Sequence, residues 1–165
     1  MTTISKDLLH ALLEYRDGKL FWRVTTGSRA QAGNRAGCLA NNGYRYIKIN
    51  DKAYLEHRLI FLMHHGELPE CLDHINGVKN DNRIENLRPA SLSQNQHNAK
   101  TSSNNTSGIK GVCFHKDTQK WMARVKIGGK SKHLGLFTDL AEAEAVIRQA
   151  RESLHGEFAN HGGEQ

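Results

Sequence analysis

Apolar residues recur first at helical spacing and then at the alternating spacing of strands. Four leucines within residues 6–16 predict an amphipathic helix that Ser5 caps and Asp17-Gly18 ends. Short strands are predicted next at 19–24, 35–40 and 44–49, separated by turns rich in Gly and Asn. A second helix is predicted over about 53–65, closed by Gly66. The first part of the chain is therefore expected to hold a small sheet and two helices.

The last third of the chain has its own pattern of three strands and one helix. Strands are predicted at 109–115, 120–127 and 131–137, the last two joined by Gly128-Gly129, a strong hairpin signal. Along the middle strand, apolar residues starting at Trp121 alternate with a mainly basic set, so one face should be covered and the other open. Asp139 and Glu142 form a capping box for the helix that covers the sheet. Trp121 is thereby assigned to the core rather than to a base-stacking surface.

A polar stretch separates these two patterns. Between Ala99 and Ile109 there is no apolar residue. Such a composition buries too little surface to offset the entropy of ordering, so residues 100–107 are interpreted as a flexible linker. The alternative is a long surface loop within one domain. The predicted division is a first domain at 1–99, the linker, a second domain at 108–160 and a tail at 161–165.

Composition narrows the partners and the compartment. The 165 residues carry a net charge of +6 and a pI near 9.3, which favours a polyanionic partner such as nucleic acid. The three cysteines lack any CxxC pair, which argues against a disulfide scaffold or a four-cysteine zinc site. No apolar run approaches the roughly 18 to 20 residues of a membrane span, and no secretory signal is evident. We expect a soluble cytoplasmic protein without a membrane partner.

The stretch from 73 to 95 brings together groups that bind a hard cation and groups that activate water. It has an acid and a histidine side by side, a loop dense in Asn, Asp and Gly, and then two further asparagines. On a strand, Asp73 and His74 would project to opposite faces, so a bend at the strand end is needed to bring both to one cleft. With Asn86 and Asn95 at their spacing, this pattern resembles the HNH endonucleases, specifically the homing type of phages and introns.

This resemblance implies a two-stranded hairpin plus a helix around one divalent metal, the ββα-metal module. It implies His74 as the general base, because a neutral imidazole with an ordinary pKa of about 6.5 can take a proton from water. Asn86 would be structural and would hold the loop so that His74 points at the phosphate. His57-Arg58, also found at this place in the family, either contacts phosphate or packs the helix, and Arg58 is the DNA contact predicted in this domain.

The resemblance also implies the metal ligands. Asp73 would supply a carboxylate oxygen and Asn95 an amide oxygen. The family's third position is His, and a subgroup carries Asn there; His97 and Asn98 lie within one helical turn and are alternative ligands. Because oxygen ligands suit hard cations, one Mg²⁺ is expected, with Mn²⁺ also suitable, and no small-molecule cofactor.

The second domain resembles the APETALA2-type DNA-binding domain. The match is carried by an Ala-rich helix and by the segments 108–112, 120–126, 133–137 and 154–159. It implies a three-stranded sheet, backed by the helix, that lays its open face in the major groove of DNA. The DNA-facing residues that it implies are Lys110, Cys113, His115, Arg124, Lys126 and His133. Cys113 departs from a position that is basic in the plant members, and Lys130 and Lys132 are grouped with this face as phosphate contacts.

The sequence thus predicts an α+β protein, with a ββα-metal (HNH) nuclease module followed by a three-stranded antiparallel sheet packed on one helix. The predicted function is a metal-dependent endonuclease of the homing type, which hydrolyses double-stranded DNA with a His-activated water and no covalent intermediate. It is expected to act as a monomer, in the cytoplasm of a bacterial host if a phage encodes it. The alternative is a sequence-specific DNA-binding regulator with an inactive nuclease module.

Overall fold

The computed structural model describes residues 4–92, 94–95, 101 and 104–161. The chain divides into two compact units, Met1–Pro89 and Ala90–Gln165. Each described unit combines helices with antiparallel strands around its own apolar core. Within the described ranges, no helix has the length and hydropathy needed to cross a membrane.

The first unit begins with helix α1 (Lys6–Leu12) and a tight hairpin. Strand β1 (Leu13–Arg16) pairs antiparallel with β2 (Lys19–Trp22). Asp17 and Gly18 connect the two strands with φ of 43° and 74°, the two positive values that a type I′ turn requires. The helix predicted over 6–16 is therefore wrong from Leu13 onward, because Asp17-Gly18 turns a hairpin rather than ending a helix.

A three-stranded sheet and a second helix follow. Strands β3 (Cys38–Leu39), β4 (Arg45–Ile49) and β5 (Lys52–Leu55) pair antiparallel in that order. Helix α2 (Glu56–His65) starts directly after β5 and ends at Gly66, whose φ is 80°. The predicted end of this helix is confirmed, whereas its predicted start at about residue 53 falls in a strand.

The segment with the candidate motif forms a second hairpin. Strand β6 (Cys71–His74) pairs with β7 (Leu87–Ala90), and a 3₁₀ turn (Ile84–Asn86) leads into β7. Buried apolar side chains from both helices and from β1, β2, β4, β6 and β7 make one core. The helix predicted after this hairpin falls largely on residues outside the described ones, so the full ββα-metal arrangement stays a prediction.

The second unit is a three-stranded sheet covered by one helix. Strands β8 (Val112–His115), β9 (Lys120–Ile127) and β10 (Lys130–Phe137) pair antiparallel, with β9 in the centre. Helix α3 (Leu140–His155) starts at Asp139, whose side chain accepts a hydrogen bond from the amide of Ala141, and a 3₁₀ turn (Gly156–Phe158) follows it. The core consists of Val112, Ala123, Val125, Ala143 and Ile147. This confirms the predicted sheet packed on one helix.

The start of this unit is held by polar side chains of the stretch predicted to be a linker. Asn105 Nδ2 donates to the carbonyl of Ile109 at 2.9 Å, and Ser107 Oγ donates to the carbonyl of Val112 at 2.7 Å. Residues 100, 102 and 103 of the predicted linker lie outside the described residues. The predicted linker boundaries stay a prediction.

Candidate functional site

Buried polar side chains gather at the end of β6. Asp73 and His74 expose only 4% and 5% of their surface, although both are polar. Among its described residues, the first unit also buries the polar side chains of Glu56, His57, Asn82 and Asn86. Burying polar groups is unfavourable unless they are hydrogen-bonded, so a cluster of this kind is either a structural network or a functional site.

Among the described residues, Asn82, His57 and Tyr44 contact the His74 ring. Its Nε2 lies 2.9 Å from Asn82 Oδ1. The ring centroid of His57 is 4.9 Å away in an edge-to-face arrangement, and that of Tyr44 is 6.2 Å away. Burial lowers the pKa of His74 below its usual range. A buried imidazole that is neutral at physiological pH has the protonation state that a general base needs.

The pKa of His57, the neighbouring imidazole, is also lowered by burial. Burial, with contributions from the neighbouring His74 and Arg58, lowers the pKa of His57 to about 3. Two neutral imidazoles can pack edge to face without the repulsion that two imidazolium ions would suffer.

Asp73 is paired with an arginine on the adjacent strand. Its Oδ2 accepts hydrogen bonds from Nε and Nη2 of Arg88, at 3.0 and 2.9 Å. The two side chains are 5% and 13% exposed, so the pair is largely out of water. A cation that binds this carboxylate must therefore share it with the guanidinium or displace the guanidinium.

Asn86 joins the two ends of the loop between β6 and β7. Its Oδ1 accepts from the amide of Asn76 at 3.0 Å, and its Nδ2 donates to the carbonyl of Asp81 at 2.7 Å. Nδ2 also donates to Asn76 Oδ1, and the Asn86 carbonyl accepts from the amide of Ile75. These are the contacts expected of a residue that holds the loop in place, which is the role predicted for Asn86.

Comparison with known proteins places this hairpin within a family. Residues 54–97 match the HNH endonuclease family, and this span contains Asp73, His74, Asn86 and Asn95. The chain is also 36% identical over 110 residues to Protein 3.8 of Escherichia phage T7, covering 66% of this chain and 90% of that relative. The chain belongs to the family of this phage protein and carries an HNH endonuclease domain. No solved structure matches the chain.

The structure describes two of the predicted metal ligands of the HNH domain, Asp73 and Asn95, but not the alternative ligands. Asp73 offers a buried carboxylate, whose oxygen chemistry fits a hard divalent cation. Asn95 lies in the second unit, where its backbone amide donates to the carbonyl of Ser91 at 3.0 Å. His97 and Asn98 lie outside the described residues. Among the residues that are described, no three His, Cys, Asp or Glu side chains are grouped to hold a metal ion, so the ligand set stays a prediction.

The sequence does not identify Asn82, Glu56 or Arg88, which contact Asp73 or His74 directly or through one residue. Arg88 lies two positions after Asn86, on the strand that pairs with the strand of Asp73, so charge complementarity across a predicted hairpin is a signal for it. Glu56 has no comparable local signal, because its partner Asn82 is 26 residues away in the sequence.

The second unit separates the predicted DNA-binding residues onto two faces. Residues directly opposite one another on paired strands project to the same face. Arg124 pairs with His133, and Lys126 pairs with Ser131, so these residues lie on the face that the helix leaves open. His115 pairs with Lys120 on that same face.

Two of the predicted phosphate contacts lie on the opposite face. Lys132 pairs with Val125 and Lys130 with Ile127, and Val125 is a core residue beneath the helix. Grouping Lys130 and Lys132 with the open basic face was therefore wrong, because the two-residue turn at 128–129 sets the opposite alternation. Both lysines are exposed.

Lys110 and Arg58 both take part in hydrogen bonds within the protein. The carbonyl of Lys110 accepts a hydrogen bond from Arg151 of α3, and burial together with Arg151 lowers the pKa of Lys110 to about 8. Arg58 donates to the carbonyls of Pro69 and Glu70, at 3.0 and 3.3 Å, and so ties α2 to the segment before β6. DNA contact by either residue stays a prediction.

Cys113 pairs with Met122 on the open face.

The buried neutral state of His57 makes the stability of the first unit depend on pH. Since its pKa is about 3 when folded and 6.5 in a free imidazole, the unfolded chain binds more protons between these values, and stability is lost as pH falls from 6.5 towards 3. At about pH 4.5 the loss from this group should be on the order of 2 to 3 kcal/mol. Urea unfolding followed by the amide NMR signals of the first unit measures it.

The variant His57→Gln isolates this effect from that of other titrating groups. It should reduce the difference in unfolding free energy between about pH 7 and pH 4.5 by this amount. His133→Gln, which changes an exposed histidine of the second unit, should leave the first-unit curve unchanged. An identical pH dependence in the wild type and His57→Gln would show that His57 does not set it.

Proposed function

We propose that this protein is a metal-dependent DNA endonuclease that hydrolyses a phosphodiester bond with a water activated by His74. The observation that carries this proposal is the buried His74, which is held by Asn82 and lies next in sequence to a buried acid within an HNH domain. Burial lowers the pKa of His74, which favours the neutral imidazole that a general base needs. The imidazole takes the proton from the attacking water, so no covalent intermediate is needed. We also propose that this endonuclease is of the homing type.

The remaining residues of the hairpin prepare this step. Asn86 holds the loop between β6 and β7, which follows His74, through its hydrogen bonds to Asn76 and Asp81. Arg88 balances the charge of Asp73 within a largely buried pair. A divalent metal held by Asp73, with Asn95 as the predicted second ligand, would stabilise negative charge on the leaving 3′ oxygen. Mg²⁺ is proposed because the donors are oxygens.

The second unit is proposed to hold the DNA. Its open face carries Arg124, Lys126 and His133, and burial of the opposite face beneath α3 leaves these side chains exposed. This is the arrangement that an APETALA2-type sheet would need in order to lay its face in the major groove. Arg124 lies in the central strand and is proposed as the base-reading residue.

The deciding experiment is cleavage of supercoiled plasmid by the full chain in millimolar Mg²⁺. Nicked or linear products that disappear on addition of EDTA support the nuclease. Retarded migration of a duplex without cleavage, in the presence of Mg²⁺ or Mn²⁺, would instead support the DNA-binding regulator with an inactive nuclease. Mapping the ends of the products on a target-bearing DNA then tests the homing type.

The two faces of the sheet give a matched pair of lysines for a binding test. Lys126→Ala should lower the salt slope of log affinity by about 1, because each phosphate contact releases about one counterion. Lys132→Ala removes the same charge from the opposite face and should change the slope much less. Arg124→Ala should weaken binding to the preferred sequence by about 1 to 3 kcal/mol. If all three variants keep the affinity and the salt slope of the wild type, the open face does not contact DNA.

A further inference from the structure

A chain of buried polar groups leads from the core of the first unit to His74. Glu56 is fully buried, and its Oε2 accepts a hydrogen bond from Asn82 Nδ2 at 2.8 Å. The other end of the same amide, Asn82 Oδ1, contacts His74 Nε2 at 2.9 Å. Asn82 exposes only 1% of its surface, so water does not compete for either contact.

Glu56 acts in this chain as an acceptor at both oxygens. Its Oε1 accepts from the amide of Leu20 and from Arg35 Nη2, at 3.0 and 2.9 Å. Its Oε2 accepts from Arg35 as well as from Asn82, and Arg45 Nε lies 3.9 Å away. Two guanidinium groups therefore accompany this carboxylate, so the group that faces Asn82 offers lone pairs and no proton.

This arrangement leaves Asn82 one favourable orientation. If the amide were turned over, its oxygen would face the Glu56 carboxylate, and two buried acceptors would be opposed without a proton. The amide nitrogen must therefore point to Glu56 and the oxygen to His74. An oxygen can only accept, so His74 Nε2 must carry a hydrogen.

We propose that Glu56, acting through Asn82, is a positioning residue that fixes His74 in the form protonated at Nε2, so that Nδ1 carries the lone pair that receives the proton of the attacking water. The inference rests on the proposed function for the role of that lone pair. The assignment of the proton to Nε2 stands on the hydrogen bonds alone.

Glu56→Gln should reverse the direction of the hydrogen bonds that link residue 56 through Asn82 to His74. The side-chain oxygen of Gln would stay with the amide of Leu20 and with Arg35, which places its NH₂ group at the position of Oε2, where the second hydrogen bond from Arg35 is lost. Asn82 then gains by turning over, since its oxygen can accept from that NH₂ group. Its own nitrogen would face His74 Nε2 and donate to it, so the proton of the neutral imidazole would move to Nδ1.

The experiment is ¹⁵N NMR of the histidine rings in the full chain, labelled at both ring nitrogens, at a pH where His74 is neutral. The wild type should show a His74 with hydrogen at Nε2, and Glu56→Gln should show hydrogen at Nδ1 or a mixture of the two. Asn82→Ala, which keeps Glu56 and its arginines, should also mix the two forms. The matched control is Glu85→Gln, the same chemical change at an exposed position next to Asn86, which should match the wild type.

Each outcome decides the proposal. A wild-type His74 with hydrogen at Nδ1 overturns it without any variant, and an unchanged Nε2 form in both Glu56→Gln and Asn82→Ala also overturns it. Circular dichroism identifies a variant that has not folded, and the wild-type spectrum and the other variant then decide. Because the NMR result needs no catalysis, it stands even if the wild type does not cut DNA, which would count against the nuclease proposal alone.

Cleavage provides a second measurement if the wild type cuts. Glu56→Gln should lower kcat by on the order of 10²-fold or more, because a general base in the wrong tautomer cannot take the proton. KM should change little, since Glu56 is fully buried and its side chain is not on the surface that DNA could reach. A purely structural Glu56 would leave the tautomer of His74 unchanged in every variant that folds.

Discussion

His74→Ala is expected to lower DNA cleavage on the order of 10² to 10⁴-fold while DNA affinity stays nearly the same. The imidazole is buried and hydrogen-bonded to Asn82, and burial lowers its pKa, so its removal takes away the proton acceptor and few charge contacts. Single-turnover cleavage of a labelled duplex gives the rate, and fluorescence anisotropy in Ca²⁺ gives the affinity without cleavage.

A histidine outside the cluster is the control for this loss. His65 lies at the exposed end of α2 and stacks on Phe61, so His65→Ala removes an imidazole from the same unit without touching the cluster. It should cut at a rate close to that of the wild type. Undiminished cutting by His74→Ala would instead show that another group takes the proton. Equal losses in both variants would point to unfolding rather than catalysis.

The second unit could be predicted in most of its detail from the sequence. Its central strand alternates apolar and mainly basic residues, its turn at Gly128-Gly129 is unambiguous, and its helix has a capping aspartate, so these local signals indicate the same fold. The face of the sheet on which Lys130 and Lys132 lie could also be predicted from the sequence. A two-residue turn places the residues on either side of it opposite each other, which makes Lys130 the partner of Ile127.

The first unit shows where local patterns stop being sufficient. Leu13 continues the spacing of the helix before it, yet it is fully buried in a strand paired with Trp22. Asp17-Gly18 is compatible with a helix end and with a hairpin turn, and the pairing with β2 decides between them. Tertiary contacts overrode the helical periodicity here.

The motif residues could be predicted from the sequence, whereas the residues that support them could not. Asp73, His74, Asn86 and Asn95 could be recognised because their spacing is fixed along one short stretch of chain. Glu56 could not, because it reaches His74 only through Asn82 and only once α2 has packed beside the hairpin. A supporting network of this kind is a property of the folded core, and a single sequence does not display it.

Asp73→Ala is expected to abolish cleavage at millimolar Mg²⁺, since it removes the one charged metal ligand proposed for the HNH domain. It also leaves Arg88 without the partner that now accepts two of its hydrogen bonds. Removing one member of a largely buried ion pair destabilises a protein by about 3 to 5 kcal/mol. Loss of activity in this variant alone would therefore not separate a missing metal ligand from unfolding.

The double variant Asp73→Ala with Arg88→Met separates the two effects. It removes both charges of the pair, so most of the lost stability should return, because an apolar replacement of a buried ion pair is often neutral or stabilising. Cleavage should stay absent, and calorimetry should show weaker Mn²⁺ binding than in the wild type. Asn95→Ala should reduce cleavage less severely, and Asn95→His should keep it with an altered preference between Mg²⁺ and Mn²⁺. If the folded double variant cuts DNA at the wild-type rate, the metal is bound by other residues and the carboxylate of Asp73 serves only to pair with Arg88.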